Sequence, residues 1–521
     1  MKQHTLVILF SSCAFLLTLN VGTLEGRPSE KKAHTQYSSL DPHSIPQHLA
    51  FYELYPNTPE GQRALRQAWN LLAGEDLSID SKIYGLTFSP ATVEVIVNLV
   101  NKQPNVATPI LSDKELAVID RLARHLPNRN LKGHCALSEE EVLALPPEEI
   151  DLTRGLFLSQ IDAENSLQKL RSYEALIDLL ALQILTQVPM HAPPEQKIRA
   201  INKLVFDEMG FRFPPHSLYA KDVDKYTFLP SILDSRHGVC LGVSILYLSL
   251  AQRLDLTLEA ITPPGHIYVR YKEGNKVINI ETTARGIHVD SEEYLGIDTR
   301  ALQEQNIKEV IGSAHVNQAA AFWKEKDYAK ALECYEIAEK YIPEDMLLKE
   351  MMGFNYLFVG DVEKGKKLLK SVEGYIPSYA VSKNTLAEDY LTGAVDIEGI
   401  KTIFQEVDET RESILEKKDA LLETVKKNPR FREGWLSLAI TWLQLHREKE
   451  ALKVLTKYHD LRPDDPTAEY YLAIIYADRL HYKKAWEHFR NAEKIVHQKE
   501  HHPKALKSLY RHLAMLYPEQ G

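Results

Sequence analysis

The chain has 521 residues, 44% of them apolar, which is enough for two or three domains that each bury a core and which excludes a disordered protein. Lys plus Arg total 62 against 72 Asp plus Glu, a net charge of −10, and no stretch reaches the basic density that phosphate-backbone binding requires. Nucleic acid is therefore excluded as an expected partner.

Residues 1–26, MKQHTLVILFSSCAFLLTLNVGTLEG, place a lysine at position 2 before an apolar run from Thr5 to Val21 and small residues at Gly22 and Gly26. This pattern predicts a signal peptide and export to the periplasm or beyond, with anchoring through an uncleaved N-terminal segment as the alternative. Removal of the signal leaves Cys135, Cys240 and Cys334, an odd number and too few to staple the chain, so the fold must rest on packing. Polar, aperiodic residues 27–45 read as a linker.

Residues 46–190 carry a helical pattern. Thr58-Pro59-Glu60 precedes ALRQAWNLLAG and Ser89-Pro90 precedes ATVEVIVNLV, both signatures of a helix start, and Ala163 to Val188 is expected to form one long amphipathic helix. No chemistry is legible in this helical domain. The breaker His191-Ala192-Pro193-Pro194 opens a mixed unit, 194–290: a helix ending at Gly210, an apolar helix after Cys240, then period-two segments TLEAI, HIYVRY and KVINIE, the last two joined by a polar KEGN turn.

From 314 to 521 matching positions recur every 34 residues, as in Gly353 and Ala387, Tyr356 and Tyr390, Gly365 and Gly399, and again in Ala439 and Ala473, Ala451 and Ala485. Small residues where paired helices touch, with aromatics between, are the tetratricopeptide pattern. About five repeats are expected, two of them degenerate. The two registers are offset by 18 residues near 408–422, which predicts an interruption or an extra helix, and HPKALKSLYRHLAMLYP is expected to cap the array. The fold class is thus α+β: a mainly helical N-terminal region, an α+β core and a C-terminal all-α solenoid whose concave face suits a protein or peptide ligand.

The segment Arg236-His237-Gly238-Val239-Cys240-Leu241-Gly242-Val243-Ser244 puts Cys240 at the start of an apolar helix, where unpaired N–H groups and the helix dipole favour a thiolate and can hold an oxyanion. A cysteine nucleophile needs a base and the base an orienting acid. His266 opens one strand of the hairpin and Glu281 closes the other. With the turn centred between Glu273 and Gly274, these two residues face each other directly, with roughly 5 Å between β-carbons. A metal site from His237, Cys240, His266 and His288 is a competing reading, weakened by the lack of a second closely spaced pair. A third is a structural remnant with no chemistry. His497, His501 and His502 read as a solvated loop.

INKLVFDEMGF, LPSILDSRHGVCLGVSILYLSLAQRLDL, PPGHIYVR and INIETT together resemble the transglutaminase-like superfamily of papain-fold cysteine enzymes, in particular its SirB-like bacterial branch with C-terminal tetratricopeptide repeats. The resemblance covers about Pro194 to Asp290. It implies a catalytic triad of Cys240, His266 and Glu281, no cofactor and no metal, and a protein or peptide substrate for protease, amidase or transglutaminase-type acyl transfer. Many members of the branch have lost the cysteine, and this chain keeps it. Leu241 stands where many relatives have tryptophan, Glu281 where they have aspartate, and Tyr226-Thr227 where the branch often has Asn-Ser. The alternative function is a catalytically inactive protein-interaction scaffold.

Overall fold

The computed structural model describes residues 30–73, 90–160, 167–214, 226–407 and 410–518. The predicted signal peptide, 1–26, lies outside them. Where composition suggested a linker, Glu30–Ser38 form a helix. Its apolar stripe is only Ala33 and Tyr37, one turn apart, and Ala33 is fully buried beside Phe51, Tyr55 and Ala64. Two residues are too sparse a stripe for periodicity to register. The proline-marked starts hold: Pro59 opens Pro59–Ala73 and Pro90 opens Pro90–Val100, while Ser112 closes a capping box with Glu115 on Asp113–Leu122.

The long helix is Leu167–Leu185, and it is enclosed on nearly every side rather than amphipathic. The sequence obscures this because Glu174 and Asp178 stand among its apolar residues. Both are buried and paired: Arg154 Nη2 and Nε donate to Glu174 at 2.6 and 2.8 Å, Arg253 Nε donates to Asp178 at 2.6 Å, and Arg129 donates to the other Asp178 oxygen. One apolar core runs from Ile45 through this helix to Ile280 and on to Tyr341. The expected boundary at 190–194 therefore separates no two cores. The prolines there only end one helix and start Pro194–Asn202 in the same packed body.

A four-stranded antiparallel sheet, order β3-β2-β1-β4, covers this body: β1 Glu259–Thr262, β2 Tyr268–Glu273, β3 Lys276–Ile280 and β4 Gln303–Gln305. The hairpin register corrects the sequence reading. Glu273 pairs with Lys276 and Val269 with Ile280, so the turn is the dipeptide Gly274-Asn275, one residue further on than expected. Gly274 has φ +56, the positive value that a tight two-residue hairpin needs at its first central position. Each strand shifts by two against its expected partner, and a two-residue shift preserves the face on which every side chain lies.

C-terminal to the sheet, helices stack in antiparallel pairs. Ile307–Lys324 packs with Tyr328–Tyr341, Met346–Val359 with Val362–Ser371, a short pair follows at Leu386–Leu391 and Ile397–Ile403, then Arg432–Gln444 with Glu448–Leu461 and Pro466–Asp478 with Tyr482–His497. The extra helix is Arg411–Lys427, inserted where the two registers are offset. Gly353 and Gly365 explain the small-residue positions: a β-carbon on Gly365 would lie 2.8 Å from the Gly353 carbonyl oxygen, so the paired backbones touch. Lys504–Leu516 closes the array by burying Leu506, Leu509 and Leu513 beside Trp486 and Phe489. Among the described residues no helix is long and apolar enough to cross a membrane.

Candidate active site

Cys240 is the first residue of Cys240–Arg253, and its N-cap, Val239, supplies no side-chain acceptor, so the first-turn N–H groups are not capped by a side chain. The approach to this turn is tight. Arg236 adopts a left-handed conformation, φ 58, that ends Leu229–Ser235, and Gly238 N donates to Arg212 O at 3.1 Å. A β-carbon on Gly242 would lie 2.4 Å from the Tyr226 carbonyl oxygen, so the 226–227 backbone crosses directly over the helix start. Thr227 Oγ1 accepts from Asn317 Nδ2 at 2.5 Å.

His266 follows Pro263-Pro264-Gly265, with Gly265 at φ +72 and His266 N donating to Pro263 O at 3.0 Å, the proline and glycine placement of a type II turn. Glu281 follows β3 and caps the short Thr282–Ala284 turn. In the observed register Tyr268, not His266, lies across from Glu281. His266 is the same-face diagonal neighbour, a distance at which a glutamate reaches further than an aspartate would. The His266 Nε2 sits 2.7 Å from Glu281 Oε2.

Glu281 is held on every side. Its Oε2 also accepts from the Tyr294 hydroxyl at 2.5 Å, and its Oε1 accepts from Thr283 N at 3.1 Å and Thr283 Oγ1 at 2.6 Å. Burial works against the charged carboxylate, but the hydrogen bonds from His266, Thr283 and Tyr294 outweigh it and lower its pKa to about 2. Burial likewise opposes charge on His266, yet hydrogen bonding and charge interaction with Cys240 and Glu281 raise its pKa to about 9. With Nε2 committed to the carboxylate, Nδ1 is the ring nitrogen left for the thiol. Thr282 locks the two halves together: its hydroxyl lies 3.1 Å from Ser244 Oγ and donates to Cys240 O at 3.4 Å.

The structure thus brings Cys240, His266 and Glu281 together and leaves the other candidate ligands aside. His288 accepts from Asn279 N at 3.0 Å through Nδ1 and turns Nε2 to Asp290, and His237 lies against the Tyr226 ring. Among the described residues, the group of three that does approach metal-ligand spacing is His134, Asp151 and Glu174. Its carboxylates are answered by protein groups: Arg154 on Glu174, and Asn128 and His134 on Asp151. Cys135, Cys240 and Cys334 are all free, exposed, half-buried and buried in turn, and burial pushes the Cys334 thiol up to about 11. Sequence reasoning missed Tyr294, whose SEEY context has no period or spacing, and His501, which is buried rather than solvated.

A family model described as the transglutaminase-like superfamily matches residues 171–311, so this stretch, which begins inside the central helix and ends inside Ile307–Lys324, is similar to a transglutaminase-like domain. Among curated proteins, F-box only protein 21 of Mus musculus is 27% identical over 107 residues, which is 20% of this chain. The chain spans only 14% of that relative's length. Solved structures with local likeness include MamA MSR-1 C2, 18% identical with a TM-score of 0.19 over 36% of this chain and 98% of that one. A MamA fragment, 41-end, from Desulfovibrio magneticus RS-1 is 14% identical with a TM-score of 0.19 over 36% of this chain and 96% of that one.

Proposed function

We propose that the protein is a cysteine-dependent acyl-transfer enzyme in which Cys240 is the nucleophile, His266 the acid–base and Glu281 the orienting acid. The observation that carries this reading is the His266 imidazole, hydrogen-bonded to a carboxylate that takes four hydrogen bonds in all, with Cys240 among the groups that raise its pKa. Such a setting favours an imidazolium beside the sulfur at neutral pH, the proton donor that a departing amine needs. The thiolate sulfur bonds to an amide carbonyl carbon, the His266 proton passes to the departing nitrogen as the C–N bond breaks, and a thioester remains. Water then releases the acid, which is protease or amidase chemistry, or an amine takes its place, which is transglutaminase chemistry. Hydrolysis is the preferred outcome, because water is always present and no amine-donor subsite is identified among the described residues.

We assign the chain to the SirB-like branch on its domain order, and we place its work outside the cytoplasm on the strength of residues 1–26. A protein or peptide ligand is assigned to the concave repeat face, the surface that stacked helix pairs leave for binding.

The test is the pH dependence of iodoacetamide labelling at Cys240 in the purified protein, beside His266→Ala and Glu281→Gln. A labelling pKa well below the ordinary thiol value near 8.5 that rises when His266 is removed supports the enzyme reading. Slow labelling that neither substitution changes overturns it and moves the function to the repeats as an inert-domain scaffold.

A further inference from the structure

We propose that Tyr294 is a positioning residue for the Glu281–His266 pair and that the repeat array holds it in place, so that the C-terminal helices form part of the active-site scaffold. The inference rests on the acyl-transfer reading and extends it to the part of the molecule furthest along the chain.

Tyr294 touches both members of the pair. Its hydroxyl donates at 2.5 Å to the same Glu281 oxygen that faces His266, and its ring stacks on the His266 imidazole at 5.8 Å and 18°. Tyr268 also stacks on the Tyr294 ring, at 4.8 Å and 19°, so two near-parallel ring contacts restrict the phenol direction. Thr283 anchors one carboxylate oxygen, and the phenol is the second partner of the oxygen that faces His266, so losing the phenol frees that oxygen to turn away from the imidazole.

The chain around Tyr294 belongs to no strand or long helix. It is a short turn, Ser291–Tyr294, whose continuation is tied to the repeats instead. Glu293 forms an ion pair with Lys504 of the last helix. The Gly296 carbonyl accepts from His501 Nε2 at 2.8 Å, and His501 is 4% exposed, with burial lowering its pKa so that the ring is neutral and donates through Nε2. Asp298 Oδ1 accepts from Ser382 N at 2.9 Å and Oγ at 2.8 Å. Residues on both sides of Tyr294 are thus held by residues more than eighty positions downstream. The geometry is a strap: repeats at one end, the acid of the pair at the other.

The experiment is a double-substitution cycle in the full chain, read by the iodoacetamide labelling pKa of Cys240. Tyr294→Phe keeps the ring stack and removes the hydrogen bond. It is expected to raise the labelling pKa by about one unit, a tenfold loss of thiolate below it, in the same direction as Glu281→Gln. His501→Gln, made at the far end of the strap, is expected to raise it too, and to add nothing once Tyr294→Phe is present. A wild-type labelling pKa in Tyr294→Phe, or an equal His501→Gln effect in both backgrounds, overturns the inference. If Tyr294→Phe fails to fold, His501→Gln decides alone: a raised labelling pKa supports the strap and an unchanged one overturns it. Failure of the two readings is distinguishable. If His266→Ala leaves labelling unchanged, the acyl-transfer reading falls and this inference with it. If His266→Ala shifts labelling and Tyr294→Phe does not, only the strap falls.

Discussion

His266 and Glu281 are hydrogen-bonded at 2.7 Å although they are not opposite each other in the hairpin. The pair forms on the diagonal because the turn lies one residue further on than the polar KEGN run implies, and a diagonal neighbour on the same face is within reach of a long acid.

Glu281→Asp is therefore not conservative. Shortening the acid by one methylene withdraws it from the diagonal, and the Cys240 labelling pKa is expected to rise by about one unit, close to the effect of Glu281→Gln. A labelling profile in Glu281→Asp that matches the wild type would show that the length of the acid is irrelevant.

The pH limits follow from the two shifted groups. His266 is raised to about 9 from an ordinary 6.5, so the stability its charged form contributes is fully present below pH 6.5 and is lost as pH rises through about 9. Glu281 is lowered to about 2 from 4.5, so its contribution is present above pH 4.5 and is lost as pH falls through about 2. Thermal unfolding of the wild type and His266→Ala across pH 5 to 10 is expected to show a gap that narrows above pH 9.

Gly242→Ala tests the crossing of the 226–227 backbone over the helix start. The added β-carbon would meet the Tyr226 carbonyl oxygen at 2.4 Å, and the expected cost is about 1–3 kcal/mol of stability, with Cys240 labelling impaired beyond that of a matched surface variant. Gly265→Ala separates space from conformation. No atom lies within 4 Å of the new β-carbon, so its cost of about 1–2 kcal/mol comes from φ +72 alone. Chemical denaturation measures both.

Asp178→Asn leaves the fully buried Arg253 and the partly buried Arg129 without their shared carboxylate. Breaking one partner of a buried ion pair costs about 3–5 kcal/mol, and urea unfolding is expected to show a loss of that order.

Mass mapping after brief iodoacetamide treatment near pH 6 is expected to find label on Cys240 and none on Cys334, which is buried and whose thiol is pushed up to about 11. Label on Cys334 at that pH would contradict its packing among Ala331, Tyr335 and Ala338.

The sequence alone determined what local rules control. The 34-residue spacing of small and aromatic residues specifies helix pairs that approach closely, and the 18-residue offset marks the inserted Arg411–Lys427 helix. Proline and capping residues placed the helix starts, and a cysteine after His-Gly-Val, with a histidine and a glutamate framing a hairpin, supplied the candidate residues. Tertiary structure decided the rest, because it turns on contacts between distant residues. The hairpin register depends on which residue takes the positive φ, and Gly274 took it. The central helix hides its charges only because Arg129, Arg154 and Arg253 come from three other elements to meet them. Tyr294 and His501 have no periodicity around them, and their roles exist only where a short turn, a β-hairpin and the last repeats converge.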